Sequence, residues 1–381
     1  MLLPLHEFHH NRGANFTTVN GAEVVADYGD PGGEYLALRE TAGVIDLSCR
    51  SRLCLTGTDR VRFLHGQVTN DVNKLRAGEG CYSAITTSKG KMQSDLNIFC
   101  LEDELLLDFE PGLTTVVTER LEKYIVADDV QVVDVTPHYG LLSVQGPKAE
   151  AVVRALGLFT DVPATSLSFS KIADATLGEI YLINHARLAG SADVLLASSE
   201  IEPRETRQQD AGAAGGGFDL FVPTAALETV ADQLIAAAKS VGGRAGGWSA
   251  FEGARIAAGV PRFGVDMDET NLASECGIEA RAISYQKGCY IGQEVLNRIH
   301  SFGHVNRELR RLHLTVDLKT LPARGDKLFH GDKEVGHITS AITAPTGTGG
   351  RALGYVRREA NAVGTQLTLR SGSGESVATI I

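Results

Sequence analysis

The chain has 381 residues, 43% hydrophobic and 22% charged. That length exceeds one ordinary core and predicts a soluble globular protein of two or three packed domains. The formal net charge of −11 argues against broad electrostatic binding to nucleic acid or to an anionic membrane surface. No stretch approaches the roughly 20 apolar residues of a membrane span. The segment Met1–Glu7 lacks the basic start and apolar run of a secretory signal, so a cytoplasmic location is expected. The six cysteines (49, 54, 81, 100, 276 and 289) form neither a CxxC pair nor a Cys/His spacing typical of zinc. Free thiols are expected, with no metal or iron–sulfur cluster held by this chain alone.

In chain order, residues 52–56 read as a short strand, followed by Gly57 and a Thr58-Asp59 helix start. Val61, Phe63, Leu64 and Val68 then recur at near-helical spacing. Residues 81–87 and 91–101 predict two strands around a Ser88-Lys89-Gly90 turn, and Glu102-Asp103 turns the chain into Leu105–Leu107. Residues 113–126 predict an amphipathic helix with Val116, Val117, Leu121, Tyr124 and Ile125 on its apolar face. The pattern restarts at Leu141–Val144, where Gly146-Pro147 leads into a helix over 149–156. Strands are predicted near 180–188 and 192–198, a flexible loop over 203–217 and a helix near 224–240. Strand, glycine turn, helix, strands and helix therefore occur twice, which predicts two related α+β lobes. Beyond residue 309, short alternating runs separated by Gly, Pro and Asp predict a small all-β barrel. The expected domains are 1–136 (first lobe with the N-terminal segment), 137–308 (second lobe) and 309–381 (barrel).

One stretch packs unusual chemistry into nine positions: Lys287-Gly288-Cys289-Tyr290-Ile291-Gly292-Gln293-Glu294-Val295. Glycines around a cysteine suggest a thiol presented on a tight turn. Lys287 and a helix starting near Gly292 would both favour its thiolate. The alternative is a small buried hydrophobe beside a turn. Arg298, Arg307, Arg310 and Arg311 follow with His300, His304 and His313, either a basic patch or a solvated face.

Three segments carry a family resemblance. Ala42-Gly43-Val44-Ile45-Asp46-Leu47-Ser48 resembles the AGxxDLS near the start of glycine cleavage T-proteins. Gln67-Val68-Thr69-Asn70-Asp71-Val72, then Tyr82 and Lys89–Leu96, resembles their TNDV…Y…GGxxxDL series. Gly217-Phe218-Asp219-Leu220 and Arg255–Gly259 are similar to DG[FY]E and RLEAG. The order of these motifs resembles the folate-binding aminomethyltransferase superfamily over residues 35–310. The KGCYxGQE motif, formed by Lys287, Gly288, Cys289, Tyr290, Gly292, Gln293 and Glu294, resembles the YgfZ-type branch of that superfamily.

The resemblance implies a three-lobed protein enclosing a tetrahydrofolate pocket. It places Asp95 near the reactive folate nitrogens, Tyr82 and Gln67 at the pocket, and Asp219 at a pterin-binding position, one methylene shorter than the family's glutamate. Arg255 would meet an acidic partner or a substrate carboxylate, and Cys289 would be the reactive thiol. The implied function is folate-dependent assembly or repair of iron–sulfur clusters, with iron–sulfur proteins or their assembly factors as partners. The alternatives are an aminomethyltransferase that transfers a one-carbon unit to tetrahydrofolate, centred on Asp95, and a folate-binding protein without catalysis.

Overall fold

A computed structural model of the chain describes residues 2–189, 216–315, 320–343, 349–372 and 374–381. The predicted strand at 192–198 and nearly all of the 203–217 loop lie outside the described residues. The chain opens with α1 (His6–His10), the hairpin β1 (Asn15–Val19) and β2 (Ala22–Asp27), and α2 (Pro31–Glu40). Asp30 starts α2 by accepting the Gly33 N–H at 2.9 Å, with Pro31 as the first helical residue. A four-residue strand, β3 (Gly43–Asp46), follows.

The first half then runs β4 (Ser51–Thr56), α3 (Arg60–Gln67), β5 (Glu79–Thr86), β6 (Met92–Cys100), β7 (Leu105–Phe109), α4 (Thr114–Glu122) and β8 (Gln131–Asp134). The second half repeats this as β9 (Tyr139–Gln145), α5 (Ala149–Ala155), β10 (Phe169–Asp174), β11 (Gly178–Asn184), β12 (Gly217–Pro223), α6 (Leu227–Ser240) and β13 (Arg244–Ala245). The two sheets have the orders β5-β6-β7-β4-β8 and β10-β11-β12-β9-β3-β13. Second, third, fourth and first strands thus lie side by side in both, which is the predicted pseudo-repeat. Strand β12 is buried along Gly217–Val222 because β11 and β9 flank it. Helix α6 buries Leu227, Val230, Ala231, Leu234, Ile235 and Ala238 against Val144 and Leu220 of the second sheet. That spacing gives one apolar stripe on a 3.6-residue period.

Two segments cross between the halves. Strand β3 joins the second sheet, pairing Gly43 with Gln145 and Val44 with Val144 of β9. Its four residues are all buried, so only a strand edge inside the core satisfies both its backbone and its side chains. Conversely, Phe263, Met267, Cys276, Ile278, Tyr290 and Leu296 pack on Ala84 and Met92 of the first sheet. This later region contains α7 (Trp248–Ala258), α8 (Glu279–Ala282) and α9 (Gln293–Phe302).

Six strands close the C-terminal barrel in the order β14-β17-β16-β15-β18-β19. They are β14 (Arg307–Leu314), β15 (Lys327–His330), β16 (Lys333–Thr343), β17 (Gly350–Arg357), β18 (Gln366–Ser371) and β19 (Gly374–Ile380). The fold is therefore mixed α and β with a closed all-β barrel, as the sequence predicts. Among the described residues no helix is long and apolar enough to cross a membrane.

Buried polar groups fasten the barrel to α7. Arg255 donates to the Asp266 carboxylate, to Glu252 at 2.9 Å and to the Ser340 hydroxyl at 3.1 Å. Asp266 also accepts from the Thr339 and Ser340 hydroxyls of β16. Removing one partner of a buried ion pair costs about 3–5 kcal/mol, because the other charge is left unpaired. Asp266→Ala is expected to lose stability on that scale in chemical denaturation. A loss below about 1 kcal/mol, the value of an exposed pair, would contradict this account of the joint.

Candidate functional site

A cavity of about 300 Å³ lies where the first sheet, the end of β11, α7 and the α8 segment meet. Tyr82 of β5, Asp95 and Asn97 of β6, and Glu110 after β7 line one side. Leu167, His185 and Arg187 come from the second half; Phe251 and Arg255 follow from α7, Pro261 and Arg262 from the segment after it, and Arg281 from α8. Alternation explains the first wall. Residues i and i+2 of a strand share a face, and Asn97 pairs with Asp108 in register. The same register carries Asp95 and Glu110 to the cavity side.

A charged chain runs behind these residues. Asp108, fully buried, accepts from Arg50 Nε at 2.7 Å, Arg187 at 2.9 Å and Asn97 Nδ2 at 3.0 Å. Burial pushes its carboxyl up, but Arg50 and Arg187 outweigh burial and hold it well below the usual carboxylate range. Arg187 continues to Asp219 at 2.8 Å, and His185 Nδ1 lies 2.7 Å from the same Asp219 oxygen. Burial and the neighbouring Arg187 push the His185 imidazole below its ordinary value.

Asp95 is treated differently. Its Oδ2 accepts the Tyr82 hydroxyl at 2.8 Å, while its Oδ1 is buried and has no hydrogen-bond partner. Burial raises its pKa, and the Tyr82 hydrogen bond and Arg50 only partly offset this. Glu110 binds Arg50 at 2.9 Å through Oε1, and burial raises its pKa too, with Asp95 adding to the rise. The cavity thus holds two carboxyl groups poised to take up a proton.

The remaining sequence candidates are placed as follows. Asp219 is fully buried behind the cavity and holds His185 and Arg187, which do line it. Arg255 touches the cavity with its charge already committed to Asp266 and Glu252. Gln67 is buried beside α4, accepting from Arg120 at 2.9 Å, and does not line the cavity. Thr69 and Asn70 act as fasteners. Thr69 Oγ1 donates to Ala282 O at 2.6 Å, and Asn70 Nδ2 bridges Tyr82 O and Arg281 O at 2.8 and 2.9 Å. Lining residues missed from sequence include Arg50, Asn97, Glu110, His185, Arg187, Arg262 and Arg281. A signal existed for Glu110: acidic Asp108 and Glu110 alternate at the end of an otherwise apolar run.

The cysteine motif forms a separate surface feature. Cys289 is an exposed free thiol and does not line the cavity. Lys287 is not offered to that thiol. Its buried ammonium donates to the carbonyls of His65, Val68 and Asn70 at 2.5, 2.8 and 2.7 Å, and burial pushes its pKa down to about 8. It clamps the turn onto the end of α3, satisfying carbonyls that a helix terminus leaves open. Gly292 has φ +91°, and a Cβ there would lie 2.5 Å from Thr86 Oγ1 and 2.7 Å from Thr87 O. Glycine is therefore required both by conformation and by space. The basic run is dispersed, with Arg307 on Glu275 and Arg310 on Glu308. Among the described residues no cluster of three or more His, Cys, Asp or Glu is arranged to hold a metal ion.

Two consequences can be measured. A carboxyl whose folded pKa is raised subtracts stability above its unfolded pKa of about 3.9 and is neutral in effect below it. Asp95→Asn is therefore expected to raise Tm near neutral pH, with the gain fading as the pH falls through the raised folded pKa and gone below about 4. A Tm lowered at every pH would contradict the assignment. Lys287→Met strips three buried carbonyls of their donor and is expected to cost about 3 kcal/mol or more, at about 1–3 kcal/mol per unsatisfied group. Unchanged denaturation would show that water replaces the ammonium freely.

Comparison with known proteins places this geometry in a family. Residues 5–187 match the GCVT N-terminal domain, and residues 307–381 match the glycine cleavage T-protein C-terminal barrel domain. An aminomethyltransferase of Corynebacterium jeikeium is 26% identical over 360 residues, covering 93% of this chain and 89% of that protein. A putative chloroplastic transferase of Arabidopsis thaliana is 26% identical over 340 residues, covering 89% of this chain and 69% of that protein. The crystal structure of the glycine cleavage system aminomethyltransferase T from Bartonella henselae superposes with a TM-score of 0.83 at 20% identity, covering 100% of this chain and 96% of that one. With both domain types present in order over more than half its length, the chain belongs to the glycine cleavage T-protein family.

Proposed function

We propose that the cavity binds tetrahydrofolate or a one-carbon derivative, and that the chain is a folate-dependent transferase with Asp95 at its centre. The observation that carries this reading is the Asp95 carboxylate in the cavity wall. One of its oxygens is held by Tyr82, and the other is buried without a protein partner. A buried acceptor left unsatisfied is costly, and a ligand N–H or a developing positive charge would relieve it. A reduced pterin supplies such groups along one edge. Leu167, Phe251, Val260 and Pro261 give the apolar walls a flat ring needs.

In an aminomethyl transfer, the amine leaves the one-carbon unit as ammonia, taking a proton, and two folate nitrogens bond the carbon in turn, the second displacing the protonated carrier. Asp95 is placed to stabilise the cationic nitrogen that develops and to accept its proton. Its raised pKa suits proton exchange better than that of an exposed carboxylate. Tyr82 keeps the carboxylate oriented, and Glu110 gives the proton a second acceptor nearby.

The expected result for Asp95→Asn is retained tetrahydrofolate binding with one-carbon transfer slowed about 10²–10⁴-fold, the usual contribution of a general base. Wild-type protein that releases no ammonia from an aminomethylated carrier in the presence of tetrahydrofolate would overturn the transferase reading.

The exposed thiol supports a second reading, a folate-dependent role in iron–sulfur cluster maintenance. Cys289 stands on a turn that Lys287 and Gly292 hold rigidly, outside the cavity. Wild-type chain restoring iron–sulfur enzyme activity in a deletion strain, with Cys289→Ser failing to do so, would favour it. Equal restoration by both proteins would remove the thiol from the account.

A further inference from the structure

Five arginines line the cavity, and four are committed. Arg50 serves Asp108 and Glu110, Arg187 serves Asp108 and Asp219, Arg255 serves Asp266 and Glu252, and Arg262 serves Glu252 and Glu110. Arg281 differs. Among the described residues its side chain makes no ion pair and no hydrogen bond, and its Nε is buried without a partner. Its position is nonetheless well determined. The guanidinium carbon lies 5.2 Å from the centre of the Tyr82 ring, a cation–π distance. The backbone is pinned on both sides, by Asn70 on Arg281 O and by Thr69 on Ala282 O. The Tyr82 ring it covers is the ring whose hydroxyl holds Asp95.

A guanidinium is a rigid planar fork that matches a carboxylate with two parallel hydrogen bonds. A fixed, half-buried one in a cavity wall, without an ion-pair or hydrogen-bond partner among the described residues, is an anion receptor lacking its anion. We propose that Arg281 binds the carboxylate of the ligand that occupies this cavity, with Tyr82 as its platform. The proposal deepens the folate reading above and rests on the cavity being the ligand site. It gives the site polarity: unpaired acid at Asp95, unpaired base at Arg281, one tyrosine between them. Two ligands supply such a carboxylate, the glutamyl tail of a folate and an amino-acid one-carbon donor.

The test measures calorimetric Kd for wild type, Arg281→Ala and Arg281→Lys with three probes: tetrahydrofolate, 6-methyltetrahydropterin (a reduced pterin with no carboxylate) and N-methylglycine. Among the described residues Arg281 has no ion pair or hydrogen bond to lose, only its contact with the Tyr82 ring, so Tm of both variants should stay close to wild type. A charge-assisted bidentate contact predicts roughly 10- to 100-fold weaker binding in Arg281→Ala. Arg281→Lys is expected to fall between, keeping charge without the fork.

Loss confined to tetrahydrofolate, with 6-methyltetrahydropterin unchanged, assigns Arg281 to the glutamyl tail. Loss confined to N-methylglycine assigns it to an amino-acid donor, even if wild type binds no folate and the folate reading falls. Arg281→Ala binding every probe as wild type does overturns the proposal and leaves the folate reading standing. Wild type binding none of the three overturns both.

Discussion

The arrangement of the two halves depends on Asp108. It is a carboxylate with no exposed surface, and a lone charge there would cost several kcal/mol in desolvation. It stays ionised because two arginines reach it from opposite directions, Arg50 from the turn before β4 and Arg187 from the end of β11. The first sheet and the second half are thereby drawn to one point. Arg187 extends the contact to Asp219, which also orients His185. The cavity is the space left in front of this chain of charges.

The same field explains why the carboxyl groups differ. Asp108 and Asp219 face arginines at hydrogen-bond distance, and their pKa values fall. Asp95 has only a tyrosine hydroxyl at that range, and its pKa rises. A residue kept in such a place reduces stability at neutral pH, which is the usual signature of a group retained for binding or chemistry. The barrel adds a boundary. The Asp266 cluster locks it onto α7, whose Phe251 and Arg255 form part of the cavity wall.

Much of the architecture could be read from sequence because local signals agreed with it. Glycine turns and apolar periods announced the repeated strand–helix–strand pattern, and short alternating runs announced the barrel. Strand β3 had no signal of its own in the sequence, because a four-residue apolar run specifies neither a strand nor the sheet it joins. Asp95 and Tyr82 could be grouped from sequence because their motif lies on the adjacent strands β5 and β6, where sequence order and spatial order nearly coincide, and both line the cavity. Asp219 was placed near the cavity, but the side chains that meet the cavity are its partners His185 and Arg187. Those partners sit more than thirty residues away along the chain and carry no motif. Lys287 looked like an electrostatic partner for Cys289, yet its charge is spent on carbonyls of a helix end distant in sequence. Side-chain direction, unlike periodicity, is set by tertiary packing.

The central claim is that a reduced folate occupies the cavity with its reactive nitrogens against Asp95. A crystal structure grown with saturating tetrahydrofolate tests it most directly. The account expects the pterin between the Asp95–Tyr82 pair and the Phe251–Arg262 wall, with Asp95 Oδ1 within hydrogen-bond distance of a folate nitrogen. Folate bound elsewhere, such as beside Cys289, or a cavity filled only by water under those conditions, would contradict it.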